Sequence, residues 1–113
     1  KGNARATLAF DCFVQQLCRE IGAMLGSTGP PDAIVFAGGI GGHSSEVRRQ
    51  ACDRFAAWGV RVDREKNSHA KPDADISAAG ATTRVFIVKA QEDWEIAQDV
   101  QRMLASAIGF NPR

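Results

Sequence analysis

The densest chemistry in this sequence lies between Ala33 and Ser44, AIVFAGGIGGHS. Gly38, Gly39, Gly41 and Gly42 surround Ile40, and His43 and Ser44 follow at once. An apolar, strand-like run at Ala33–Phe36 precedes the glycines, and a helical pattern opens at Ser45–Glu46. The order predicts a strand, a glycine turn and a helix N-terminus. Such a junction suits an anion. Amides of the turn and first helical turn point outward, the helix dipole favours negative charge, and missing Cβ atoms let a phosphate approach closely. The same glycines could also serve only to make a tight turn possible. Two phosphate-binding patterns can be checked against the stretch. GxxxxGK[ST] is absent, and GxGxxG through Gly39 and Gly41 would need glycine or alanine where Ser44 stands. Asp63 sits roughly 20 residues on, where a dinucleotide fold keeps its ribose-binding acid, so that fold stays open as a rival.

A second group of candidates follows the run RVFIVKA at Arg84–Ala90, where Gln91, Glu92 and Asp93 open a helical pattern. Carboxylates in a first helical turn are favoured by the dipole, and spacing alone gives Glu92 no more than that role. His69, Asp73 and Asp75 lack any familiar metal-ligand spacing. Cys12, Cys18 and Cys52 are odd in number and form no CxxC pair, which predicts plain reduced thiols in a cytoplasmic setting.

The elements that must position these residues can be read from periodicity. Gly2–Gly26 predicts one long amphipathic helix, capped by Asn3 or Gly2 and ended by Gly26, with Ala6, Phe10, Phe13, Val14, Leu17, Ile21, Met24 and Leu25 on its apolar face. Pro30 and Pro31 forbid its continuation. After the glycines, Ser45–Trp58 predicts a helix that buries Val47, Ala51, Phe55 and Trp58 and stops at Gly59. Val60–Asp63 predicts a short strand, Arg64–Asn67 a charged turn, and Ser68–Thr83 a long loop with a possible strand at Asp75–Ser77. Arg84–Ala90 predicts a strand, and the last helix is expected to turn Trp94, Ala97, Val100, Leu104 and Ile108 inward before Gly109. Strands alternating with helices argue for an α/β layered domain with a largely parallel sheet, and in such sheets ligands gather at the carboxyl ends of strands. Both candidate groups fall there.

Size and composition bound the rest. The 113 residues make one domain's worth of chain, with 44% hydrophobic content and a net charge of +1. Near-neutral charge and scattered arginines give no reason to expect nucleic acid, and no apolar run has the roughly 18 residues of a membrane span. No signal-peptide layout is present. A start at Lys1, inside a helical pattern, is expected of a piece of a longer protein.

Four blocks of the sequence resemble, in order, the C-terminal part of the acetate kinase family. GNARATLAFDCFVQQLCREIGA is similar to the family's long helix. DAIVFAGGIGGHSSEVR resembles its DALVFTGGIGENSAEVR with unbroken spacing. WGVRVDREKN and RVFIVKAQEDWEIAQDV match two further blocks. The resemblance implies a ribonuclease-H-like domain of the sugar kinase, Hsp70 and actin superfamily, with a mixed, mostly parallel sheet flanked by helices. It implies reversible transfer of the ATP γ-phosphoryl to acetate or another short-chain acid, with ATP/ADP and Mg²⁺ as cofactors and dimerisation through this domain. It places Gly38, Gly39, Ile40, Gly41, Gly42 and His43 at the nucleotide, His43 falling on the family's asparagine beside adenine, and Glu92 at the magnesium. The family's catalytic arginine, histidine and aspartate, and its acyl pocket, belong upstream of this stretch, so the chain alone is expected to be inactive. The sequence departs from the family at Gly42, which replaces a glutamate, and at His43, Ala90 and Gln91. These departures bear on nucleotide preference. A non-catalytic nucleotide-binding or dimerisation module, or a propionate or butyrate kinase fragment, is the alternative.

Overall fold

Asn3 starts the first helix: its side-chain Oδ1 accepts the backbone N–H groups of Arg5 and Ala6, satisfying two of the amides a helix start leaves free. This helix, α1 (Ala4–Thr28), belongs to a computed structural model that describes residues 2–107. It runs through Gly26 and ends at Gly29, whose φ of 76° only glycine adopts easily and whose N–H closes on the Leu25 carbonyl. Of the expected apolar face, Val14 and Leu25 are buried together with Cys18, whereas Ala6, Phe13 and Met24 are exposed.

Three strands follow, β1 (Ala33–Phe36), β2 (Ala74–Asp75) and β3 (Arg84–Ile87), in the spatial order β1–β3–β2. β1 and β3 are parallel, with Ala33 opposite Arg84 and Phe36 opposite Ile87, while β2 is antiparallel to β3. The sheet is therefore mixed, and it is flanked by helices as the resemblance implied. Period-two alternation puts Ile34, Phe36, Val85 and Ile87 on one face. That face joins Val14 and Cys18 of α1 and Val47, Ala51 and Cys52 of α3 (Ser45–Arg54) in a single core, completed by Val60 and Ile76. Val35, on the other face, is exposed.

Several expectations need correction. The glycine stretch is no open turn but a short helix, α2 (Gly38–His43). The helix expected over Ser45–Trp58 ends at Arg54, and a single 3₁₀ turn over Ala56–Trp58 follows, leaving Trp58 exposed. Val60–Asp63 forms no ladder. Val60 bridges Thr83 in parallel while Val62 bridges Ser77 in antiparallel, so the segment changes partner before a strand can build. Arg64–Asn67 is the start of α4 (Arg64–His69), opened by Asp63, whose Oδ1 accepts the Lys66 N–H. The loop's strand lies at Ala74–Asp75, shifted from Asp75–Ser77, and the strand expected at Arg84–Ala90 stops at Ile87.

The last helix, α5 (Glu92–Ala107), starts where its acidic first turn predicted. Its burial does not follow the pattern: none of its residues is buried, and Trp94, Ala97, Val100 and Leu104 are all exposed. Periodicity marks an apolar face but cannot supply the surface that covers it, and no described element packs closely on this one. Ile108 and Gly109 lie outside the described residues. No described helix is long and apolar enough to cross a membrane.

Candidate functional site

The parallel register of β1 and β3 decides where the segments that follow them leave the sheet. Phe36 lies opposite Ile87, and the Val88 N–H donates to the Phe36 carbonyl at 2.9 Å. Both strands therefore end together, and the segments leaving them, α2 after β1 and α5 after β3, start from the carboxyl end of the same two strands. The glycine stretch and Glu92, 49 residues apart by number from His43, are thus brought to one end of the fold.

Ala37 leaves β1 in an extended conformation, and Gly38, at φ 72°, swings the chain from strand into helix. Once α2 forms, the amides of Gly42 and His43 face back into its own turns. The free N–H groups are those of the first turn, Gly38, Gly39 and Ile40, as at any helix start. The start of α3, which the sequence offered as part of the cradle, is occupied by its own cap, because Ser44 Oγ accepts the Val47 N–H at 3.3 Å. Gly38, Gly39, Ile40 and His43 are exposed, whereas Gly41 is half-buried and Gly42 buried. His43 Nδ1 lies 2.8 Å from the Gly39 carbonyl. A carbonyl only accepts, so Nδ1 carries the proton and Nε2 is left to face outward as an acceptor in the neutral ring.

A helix with four glycines in six residues is intrinsically poor, since each glycine costs up to about 1 kcal/mol relative to alanine. Arg48 offsets that. Its Nη1 donates to the carbonyls of Gly41 at 2.8 Å and Gly42 at 3.0 Å, groups that the end of α2 would otherwise leave unpaired. Its Nε donates to Asn67 Oδ1 at 2.8 Å and its Nη2 to the Asn67 carbonyl at 3.0 Å. Asn67 Nδ2 in turn donates to the Ser45 carbonyl at 2.8 Å, so α2, α3 and α4 are tied at one point. Burial lowers the Arg48 pKa from its ordinary 12.5. Neither residue was singled out from the sequence. The available signal was Arg48 inside the buried stripe of α3, between Val47 and Ala51.

Glu92 is exposed and makes no ion pair or side-chain hydrogen bond among the described residues. No three His, Cys, Asp or Glu side chains among those residues converge as a metal cage would require. A lone free carboxylate suits Mg²⁺, which takes one or two carboxylates and fills its other positions with water and phosphate oxygens. Asp63, the ribose-binding candidate of the rival dinucleotide reading, is the cap of α4. His69, Asp73 and Asp75 go separate ways: His69 bonds Ser68 and the Glu65 carbonyl, Asp73 the Lys89 amide, and Asp75 Ser77 and Arg84.

Comparison with known proteins bears directly on this arrangement. A family model described as "Acetokinase family" matches residues 1–98. The chain belongs to the acetokinase family. It is 43% identical over 104 residues to an acetate kinase of Nostoc punctiforme, a match covering 92% of this chain and 26% of that protein. An acetate kinase of Synechococcus sp. is 46% identical over 103 residues, covering 91% and 26%. Among solved structures, Porphyromonas gingivalis acetate kinase superposes with a TM-score of 0.79 at 29% identity, over 91% of this chain and 26% of the other. A propionate kinase from Francisella tularensis gives 0.74 at 26% identity, over 86% and 24%. The chain thus spans about a quarter of the length of these relatives. The family match also removes the dinucleotide-fold rival.

Proposed function

We propose that this chain is the nucleotide-binding portion of a kinase that moves the ATP γ-phosphoryl to acetate or another short-chain acid, reversibly and with Mg²⁺. The observation that carries the reading is the shared exit of α2 and α5 from paired parallel strands, Phe36 opposite Ile87. It brings the exposed first turn of α2 and the carboxylate of Glu92 to the same end of the sheet. Gly38, Gly39, Ile40, Gly41, Gly42 and His43 form the nucleotide side, with the accessible contacts at Gly38–Ile40 and His43. Glu92 is the magnesium side. Phosphoryl transfer depends mainly on positioning and neutralising charge, so amide donors and one metal-facing carboxylate are a sensible share for this segment. Glu92 would hold the magnesium, which would supply positive charge to offset that of the phosphates.

The residues that bind the acid and act on the transferring group lie outside this chain, and the chain by itself has no turnover. A cytoplasmic setting agrees with three free thiols, Cys12, Cys18 and Cys52. The residues form one domain, 1–113, that completes itself by packing on the rest of the kinase or on a second copy. The bare apolar side of α5, with Trp94 and Met103 at 61% and 72% exposure, supports that part of the reading.

The test is an assay of the full-length protein with ATP, Mg²⁺ and acetate, propionate or butyrate, trapping acyl phosphate with hydroxylamine. Hydroxamate that requires both nucleotide and acid is expected. Its absence with all three acids, from folded protein, would leave the chain a non-catalytic module.

A further inference from the structure

The orientation of α5 is set by very little. None of its described residues is buried, so packing does not hold it, and the four residues from Val88 to Gln91 carry its attachment to the sheet. Two hydrogen bonds grip that connection from opposite sides. The Val88 N–H donates to the Phe36 carbonyl at 2.9 Å, toward β1. The next amide, Lys89 N–H, donates to Asp73 Oδ1 at 2.8 Å, toward β2. Asp73 stands immediately before β2, whose pairing with β3 begins at Ala74 opposite Ile87. Its carboxylate therefore takes the place of the next backbone carbonyl and extends the ladder one bond past the end of the strand. Gln91 then opens α5 by accepting the Trp94 and Glu95 amides, and Glu92 follows.

We propose that Asp73 is a positioning residue for Glu92. By holding the Lys89 amide it fixes the direction in which β3 hands over to α5, and so where the Glu92 carboxylate stands relative to α2. The inference rests on the assignment of Glu92 to the magnesium side of the site. A charge-assisted bond to a backbone amide is among the stronger kinds available to an exposed side chain. Groups that orient a metal ligand commonly matter tenfold or more to metal affinity.

The experiment compares Asp73→Ala, Asp73→Asn and Glu92→Gln in the full-length protein, titrating magnesium at saturating nucleotide and acid. Asp73→Ala should raise the magnesium concentration for half-maximal turnover roughly tenfold, with little change in the acid KM. Asp73→Asn keeps an oxygen acceptor for the Lys89 amide and should restore most of the loss. Amide exchange at Lys89 should quicken in Asp73→Ala and stay slow in Asp73→Asn. Equal magnesium shifts in both Asp73 variants would overturn the proposal, because charge and not the amide bond would then be what matters. An unshifted Asp73→Ala beside a shifted Glu92→Gln overturns it too, leaving the Glu92 assignment intact. An unshifted Glu92→Gln removes the assignment on which it rests.

Discussion

Arg48 and Asn67, 19 residues apart, meet through two hydrogen bonds, Nε to the side-chain oxygen at 2.8 Å and Nη2 to the main-chain oxygen at 3.0 Å. Both residues are buried, at 2% and 3% exposure, and no carboxylate among the described residues pairs with the guanidinium. A buried cation held only by neutral oxygens requires every one of them, since a buried charge without partners is costly. Here the oxygens are supplied by Asn67 and by the end of the glycine helix. The structural core and the glycine helix, proposed above to carry the nucleotide, therefore share one residue.

Arg48→Ala should destabilise the protein by about 2–4 kcal/mol, because the carbonyls of Gly41, Gly42 and Asn67 lose a charged donor together. Asn67→Ala should cost less, and the double variant less than the sum, as expected of one network. Urea denaturation of the three variants measures this. Additive losses would mean that the two residues act separately.

The glycine helix also shows what the sequence could and could not tell. The strand at Ala33–Phe36, the acidic start of α5 and the exit of both candidate segments from the strand ends are legible, because periodicity and first-turn charge act locally. That Gly38–His43 is helical was not legible, because glycine propensity argues against it and the stabilising Arg48 acts from α3. Likewise the charge run at Arg64–Asn67 reads as a turn, although Asp63 and Glu65 carry the helix-start signal of α4. The inward face expected of Trp94, Val100 and Leu104 failed for another reason: a stripe is written in the sequence, its cover is not.

The three thiols should separate cleanly by reactivity. Cys12 is exposed on α1, whereas Cys18 and Cys52 are buried, and burial pushes the Cys52 thiol up to about 12 and that of Cys18 in the same direction. Thiolate is the reactive form. Iodoacetamide at pH 8 should modify Cys12 alone in folded protein, and all three in urea. Modification of Cys52 at the rate of Cys12 under native conditions would contradict its place in the core.

Acid should weaken the β2–β3 edge. Asp75 is held at about 2, below its ordinary 3.8, first by the Ser77 hydroxyl, then by the Ser77 amide, with Arg84 adding to both. A carboxyl depressed on folding contributes stability that is complete above pH 3.8 and is lost as pH falls toward 2. Asp75→Asn should therefore lower Tm at pH 7 and lessen the further fall between about pH 4 and 2. Parallel Tm profiles for the two proteins through that window would show that Asp75 has no such linkage.

His43 provides a test of the proposed nucleotide side. Its Nδ1 proton is committed to the Gly39 carbonyl, which leaves the ring a single outward nitrogen. One acceptor cannot read a base as an amide's paired donor and acceptor can. His43→Asn in the full-length protein should sharpen discrimination among ATP, GTP and ITP and leave the acetate KM nearly unchanged. A shifted acetate KM with unaltered nucleotide KM values would put His43 elsewhere.

The most direct measurement of the account is nucleotide binding with and without magnesium, by calorimetry on the full-length protein and its Glu92→Gln variant. If α2 carries the nucleotide and Glu92 the metal, Mg²⁺ tightens ADP binding in the native protein. Glu92→Gln should then remove that tightening by roughly tenfold, about 1.4 kcal/mol, while metal-free ADP binds both proteins alike. Equal magnesium dependence in the two proteins would contradict the claim that these neighbouring connections form one nucleotide–metal site.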